Sequence, residues 1–153
     1  MVNLVGERAS EVLEILKGIS DPEIPVLTIV DLGIVHAIEL HEGECKVIIT
    51  PTYTGCPAMR LIEDEIHLAL QPFGFKSVKV QLVFSPAWTT DAIPEEAKEK
   101  LRKYGIAPPK KTIACPQCGS EKVIKISDFG STACKALYRC EDCKEPFDYF
   151  KCI

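Results

Sequence analysis

Apolar positions recur at helical spacing at the start of the chain. Ala9, Val12, Leu13, Leu16 and Ile19 form one stripe, with Glu7, Glu11, Glu14 and Lys17 between them, which predicts an amphipathic first helix. Asp21-Pro22-Glu23-Ile24-Pro25 ends it, because two prolines deny the backbone a helical continuation. The pattern then shortens to a period of two. Ile34, His36, Ile38 and Leu40 share one strand face, a turn-like His41-Glu42-Gly43-Glu44 follows, and 45–50 completes a hairpin.

Helical spacing returns over 58–72, with Met59, Ile62, Ile66, Ala69, Leu70 and Phe73 on one stripe. Val78, Val80, Leu82 and Phe84 alternate with Lys79 and Gln81, a third strand. A third helix runs from about Pro94 to Tyr104, with proline suited to its first turn and Gly105 placed to cap its end. The order helix, hairpin, helix, strand, helix predicts a small α+β domain over 1–107, one sheet covered by helices. Pro108-Pro109-Lys110-Lys111 reads as a linker, and 112–153 as a separate β-rich module.

That last segment has too few large apolar residues to fold on a core alone, so a metal must supply much of its stability. Two Cys-x2-Cys pairs, Cys115/Cys118 and Cys140/Cys143, stand 21 residues apart, each a tight turn able to aim two sulfurs at one point. Gly119 offers the backbone freedom such a turn needs, and short β-like stretches (122–127, 135–139, 145–152) fill the intervals. This is a four-cysteine ribbon, with zinc as the expected ion. Iron held as in rubredoxin is the rival, weakened because the second pair lacks a following glycine. Cys134 and Cys152 are read either as small buried hydrophobes or as auxiliary thiols beside the ribbon.

Composition adds little beyond class. Hydrophobic residues at 46% and charged residues at 26% are ordinary for a globular protein. No apolar run approaches the roughly 20 residues of a membrane span, and the N-terminus lacks signal-peptide features. A cytoplasmic location is expected, where thiols serve as ligands or reactive groups more often than as disulfides. Residues 1–109 carry net −6 and 110–153 net +2. The tail is too weakly basic to favour nucleic acid.

Cys56 is the candidate thiol of the first domain. Thr52-Tyr53-Thr54-Gly55-Cys56-Pro57 joins a strand to a helix, which puts Pro57 at the first helical position and Cys56 at the N-cap. Unpaired N–H groups and the helix dipole favour a thiolate there, with Thr52 and Thr54 as possible hydroxyl donors. A Cys–His hydrolase is disfavoured, since His36 and His41, on or beside the hairpin, read as structural or exposed imidazoles and His67 is out of reach. His67 lies eleven residues along the same helix, about 16 Å away. Holding iron or an iron–sulfur cluster remains sensible for such a thiolate. Asp21 and Glu23 can hold their loop by turn hydrogen bonds or supply oxygen groups beside Cys56. Asp31-Leu32-Gly33 reads as a turn, and Trp88 as a packing lid or a partner anchor.

Asp21-Pro22-Glu23, Asp31-Leu32-Gly33 and Thr52-x3-Cys56-Pro57 resemble the iron–sulfur assembly factor family over about 8–90. Members include the bacterial sulfur-mobilisation accessory protein T and the eukaryotic cytosolic factor that targets clusters to apoproteins. Ser85-Pro-Ala-Trp-Thr-Thr-Asp91, Tyr104-Gly-Ile-Ala-Pro-Pro109, Phe129–Cys140 and Glu145–Ile153 extend the likeness. The whole chain resembles the D-component (also J-component) family of the phenylacetyl-CoA epoxidase system of aerobic phenylacetate degradation.

The resemblance implies a non-catalytic accessory protein that helps mature a metal centre of that system. The epoxidase pairs a di-iron oxygenase with a reductase carrying flavin and a [2Fe–2S] cluster. The family's functional positions fall on Asp21, Glu23, Thr52 and Cys56. The chain's own helices lack inward-facing Glu-x-x-His pairs, so it should hold no di-iron site itself. Expected partners are the epoxidase oxygenase and reductase subunits and the iron–sulfur assembly machinery, with a transient iron or cluster as cargo and the ribbon as a docking module. A homodimer through exposed sheet edges is a further expectation. Two other classes stay open: a structural scaffold of the oxygenase complex, and a rubredoxin-like electron carrier.

Overall fold

The computed structural model describes residues 2–53 and 55–151. The chain divides into two compact units, Met1–Ala92 and Ile93–Ile153. Among the described residues, no helix is long and apolar enough to cross a membrane.

The first unit is a four-stranded mixed sheet in the order β1-β2-β3-β4, with β1 at Asn3–Val5, β2 at Val35–His41, β3 at Glu44–Ile49 and β4 at Ser77–Leu82. β2 and β3 form the expected antiparallel hairpin, while β1 pairs parallel to β2 and β4 parallel to β3. Helices α1 (Ala9–Leu16) and α2 (Ala58–Leu70) supply the cover. α1 stops three residues short of the predicted stripe. Beyond Lys17 the chain turns through Gly18, and Ile19 is buried next to the Ser20↔Thr28 bridge instead of on the helix. α2 gives way to a 3-10 turn at Gln71–Phe73, where Pro72 has no N–H to continue the α ladder.

The hairpin differs from strict alternation at one place. A register shift between Val35 and Ala37 pairs Val35 with Ile49 and Ile38 with Val47, so Val35, Ile38 and Leu40 share the face of Cys45, Val47 and Ile49. The extra residue turns His36 out to solvent, off the apolar face the period of two assigned it. In this unit Leu16, Leu27, Ile29, Leu32, Ile62, Ile66 and Leu70 are fully buried, each contributing about 1.5–3 kcal/mol of apolar burial.

Residues 85–92 strap the Asp31-Leu32-Gly33 turn. The buried Trp88 Nε1–H donates to the Leu32 carbonyl at 2.7 Å, which makes Trp88 a packing lid. Thr28 and Asp31 cap each other across the turn, at 3.1 and 3.0 Å. Gly33 has φ +73°, and a Cβ there would lie 2.7 Å from that of Ala92, so both backbone and space demand glycine.

The second unit contains α3 (Glu95–Tyr104) and a sheet ordered β5-β8-β7-β6, with β5 at Ile106–Ala107, β6 at Val123–Ser127, β7 at Lys135–Cys140 and β8 at Pro146–Phe150. Gly105 caps α3 in the left-handed region at φ +94°. The observed division at 92/93 lies well before the expected boundary at 107. Ile106-Ala107 pairs parallel with Asp148-Tyr149 and thereby draws α3 into the ribbon. The expected linker 108–111 lies within this unit: Pro109 is buried, and the Tyr149 hydroxyl donates to the Lys110 carbonyl at 3.2 Å. Ala107, Cys115, Ala136, Cys140, Phe147 and Tyr149 form a small core. Tyr138 stacks on Phe147 and meets Tyr149 edge-on.

Candidate metal centre and thiol site

In the ribbon, two turns present four sulfurs to one point. Cys115 Sγ lies 3.6 Å from Cys143 Sγ, Cys118 Sγ lies 3.5 Å from Cys140 Sγ, and all four fall within 4.8 Å of one another. A tetrahedral ion with metal–sulfur bonds of about 2.3 Å requires sulfurs about 3.8 Å apart, so the set fits a tetrathiolate centre. Zinc and iron would both satisfy this spacing. Among the described residues these four are the one group of three or more potential ligands gathered this way.

The two turns repeat each other. Cys115 N–H donates to Ser120 O at 2.8 Å, and Cys140 N–H donates to Glu145 O at 3.0 Å. Each turn is followed by a left-handed residue, Gly119 at φ +77° and Lys144 at φ +69°. The glycine missing from the second pair is thus a conformation that lysine is made to adopt. Ser120 Oγ donates to Asp142 Oδ2 and links the turns. The Cys143 backbone N–H, 3.5 Å from Cys140 Sγ, draws the Cys140 thiol down to about 7.

Cys134 does not join the four. It is buried, with Sγ 3.0 Å from Thr132 Oγ1. Cys152 and Thr54 lie outside the described residues.

In the first unit the site is built on the loop between β3 and α2. Pro57 (φ −69°, ψ −20°) is the N-cap and Ala58 the first helical residue, so Cys56 sits one residue before the N-cap rather than at it, with its carbonyl accepting the Met59 N–H at 3.4 Å. The Ala58 backbone N–H and the Thr52 hydroxyl face its sulfur as donors, and the Tyr53 hydroxyl lies between the sulfur and Glu23, with one proton to give to either. Burial nevertheless dominates them and, together with the negative charge of Glu23, pushes the thiol above its ordinary value of 9.0. The expectation of a thiolate favoured by the helix dipole is therefore reversed for the free protein.

Glu23 is brought to this loop from 30 residues away, with Tyr53 Oη–H donating to its Oε1 at 3.4 Å. Asp21 acts beneath it. Its buried Oδ1 accepts the backbone N–H groups of Glu23 and Ile24 at 2.8 and 2.9 Å, fixing the turn that presents Glu23. Glu23, Thr52 and Cys56 thus converge, and Asp21 supports them. Tyr53 is the residue that sequence reasoning passed over, because nothing in a lone sequence pairs a loop tyrosine with a distant glutamate. Cys45 is a core residue on β3, and burial raises its thiol to about 11.

Residues 9–83 match the family described as iron–sulfur cluster assembly protein, and residues 102–151 match the PaaD zinc beta ribbon domain. A protein of Escherichia coli (strain K12), provisionally named the D component of 1,2-phenylacetyl-CoA epoxidase, is 48% identical across 100% of this chain and 98% of its own length. This chain belongs to that D-component family. A Porphyromonas gingivalis protein named Fe-S protein maturation auxiliary factor is 33% identical over 60% of this chain and 88% of itself. That second match is long enough for the first unit and omits the ribbon's share of the length. A solved structure of a conserved hypothetical protein from Thermotoga maritima is similar with TM-score 0.53 and 32% identity, over 66% of this chain and 98% of that one. The fold is α+β followed by a zinc-ribbon domain, and this family joins the two in one chain.

Proposed function

We propose that this chain is a non-catalytic accessory factor that helps load iron, as an ion or an iron–sulfur cluster, into a component of a phenylacetyl-CoA epoxidase system. The convergence of Ala58 N–H, Tyr53, Thr52 and Glu23 on the Cys56 thiol carries this reading. Burial pushes the thiol up, while the Ala58 N–H and the Thr52 hydroxyl, with Tyr53 if its proton turns from Glu23, stand ready to stabilise a thiolate once a soft cation takes it. Glu23 adds a hard oxygen donor beside the sulfur, a pairing suited to ferrous iron. In the ribbon, Cys115, Cys118, Cys140 and Cys143 hold zinc, a closed four-ligand set of the structural kind. The protein works in the cytoplasm with the oxygenase and reductase components and with the iron–sulfur assembly machinery. The Porphyromonas relative named as a maturation factor supports the assignment of the first unit, and the Escherichia coli relative supports that of the client system.

The test is the iron and sulfide content of the oxygenase and the reductase, made in cells with this protein, without it, or with Cys56→Ser. Iron should fall in one client both without the protein and with the variant. Full loading of both clients in every case removes the maturation role and leaves a structural one.

A further inference from the structure

A cavity of about 360 Å³ opens beside the first cysteine turn of the second unit, at the small end of the range for ligand clefts. Pro108, Pro116 and Ala114 give it apolar walls, Thr112 and Gln117 add hydrogen-bonding groups, and Lys110 stands at its margin with Arg102. Its two charged lining residues are both cations, and residues 93–153 carry net +3 in a chain of net −4. Arg102 is committed to Glu99 through 3.0 Å and 2.5 Å contacts, which makes Lys110, exposed like its neighbour Lys111, the cation available at the cavity.

The simplest role for these lysines is to balance the thiolates. Four thiolates on a divalent ion carry about −2, which against net +3 for residues 93–153 leaves this unit slightly cationic where residues 1–92 are acidic. A nucleic acid is a poor fit, since the cavity walls offer no aromatic stacking platform. Residues 1–92 also carry net −7, which opposes a long polyanion. Proline faces with an amide and a hydroxyl beside them suit a peptide backbone. The lysines suit acidic side chains.

We propose that this groove docks an acidic segment of a partner polypeptide, a few residues long, with a small apolar side chain entering between Pro108 and Pro116. This rests on the accessory-factor reading, which requires a client. Its readout does not involve Cys56, so it can fail without touching the thiol assignment.

The experiment is fluorescence anisotropy of a fluorescein-labelled octapeptide of alternating Glu and Ala with the zinc-loaded full chain, at low and physiological salt. Lys110→Glu should weaken binding at least tenfold. Thr112→Trp, which fills the groove without changing charge, should do the same, with zinc content confirming that each variant keeps its ribbon. Binding unaffected by Thr112→Trp would show the groove is not used. An equal loss with Lys79→Glu in the first unit would reduce the effect to diffuse charge, and tighter binding of a labelled oligo-dT of equal charge would replace the peptide with nucleic acid. Each of these three results overturns the proposal.

Discussion

Lys144 and Gly119 occupy matching places in the two cysteine turns, at φ +69° and +77°, and this permits substitutions of opposite sign. An L-residue in the left-handed region loses about 1–2 kcal/mol. Glycine avoids that but loses roughly 0.5–1 kcal/mol more chain entropy on folding. The net gain from placing glycine there is about 0.5–1 kcal/mol, a two- to five-fold change in an equilibrium constant. Because the ribbon folds with its ion, this should register as metal affinity. Lys144→Gly also removes an exposed charge, so Lys144→Ala is the proper reference: both lose the cation, and they differ only in Cβ. Zinc competition against a chromophoric chelator at pH 7 should show Lys144→Gly binding two- to five-fold more tightly than Lys144→Ala. Gly119→Ala should bind more weakly than the parent by a similar factor, since nothing lies within 4 Å of its added Cβ and only the backbone objects. Equal affinity of the two Lys144 variants, or an undiminished Gly119→Ala, would refute the backbone argument.

Two further outcomes concern the first unit, for which Trp88, the chain's one tryptophan, is a built-in fluorescence reporter. Gly33→Ala combines a left-handed φ with a 2.7 Å approach to Ala92. It should lower stability by roughly 2–5 kcal/mol and the melting temperature by about 10 °C or more; an unchanged melting curve would remove the close-approach argument. Cys45 has its folded thiol raised from 9.0 to about 11, so its contribution is complete below pH 9 and lost as pH climbs towards 11. Denaturant titrations between pH 8.5 and 10.5 in reductant should show stability falling with pH, and Cys45→Ala should flatten that fall; an equally steep fall in the variant would assign it elsewhere.

The larger elements were legible because burial on one side leaves a period. α1 and α2 follow their apolar stripes to within a turn, α3 lies between the proline and the glycine that mark its ends, and the hairpin follows its alternation. What escaped the sequence lacks periodicity. β1 and β5 are three and two residues long, too short to show a pattern, and each is a strand only because a longer strand accepts it. His36 leaves its predicted face through a one-residue bulge that alternation cannot encode.

Sites divide along the same line. The four ribbon cysteines were readable because the ligands come in two local turns whose spacing is itself the signal. The thiol site was readable in Cys56 but not in Tyr53, whose partner Glu23 is set by tertiary folding. The sign of the Cys56 shift was missed for a related reason. Proximity to a helix start is local and visible, whereas the depth of burial that outweighs it is global.

The parallel pairing of β5 with β8 also bears on the order of assembly during synthesis. The first unit has all its strands once the ribosome has passed residue 92, and it can close on its own core. The second cannot settle β5 until residues 146–150 arrive to pair with it. The four cysteines, by contrast, are all present after residue 143. An ion captured at that moment would staple the nascent ribbon before its last strand exists, and the earlier helix and strand would then be gathered onto a metal-held template.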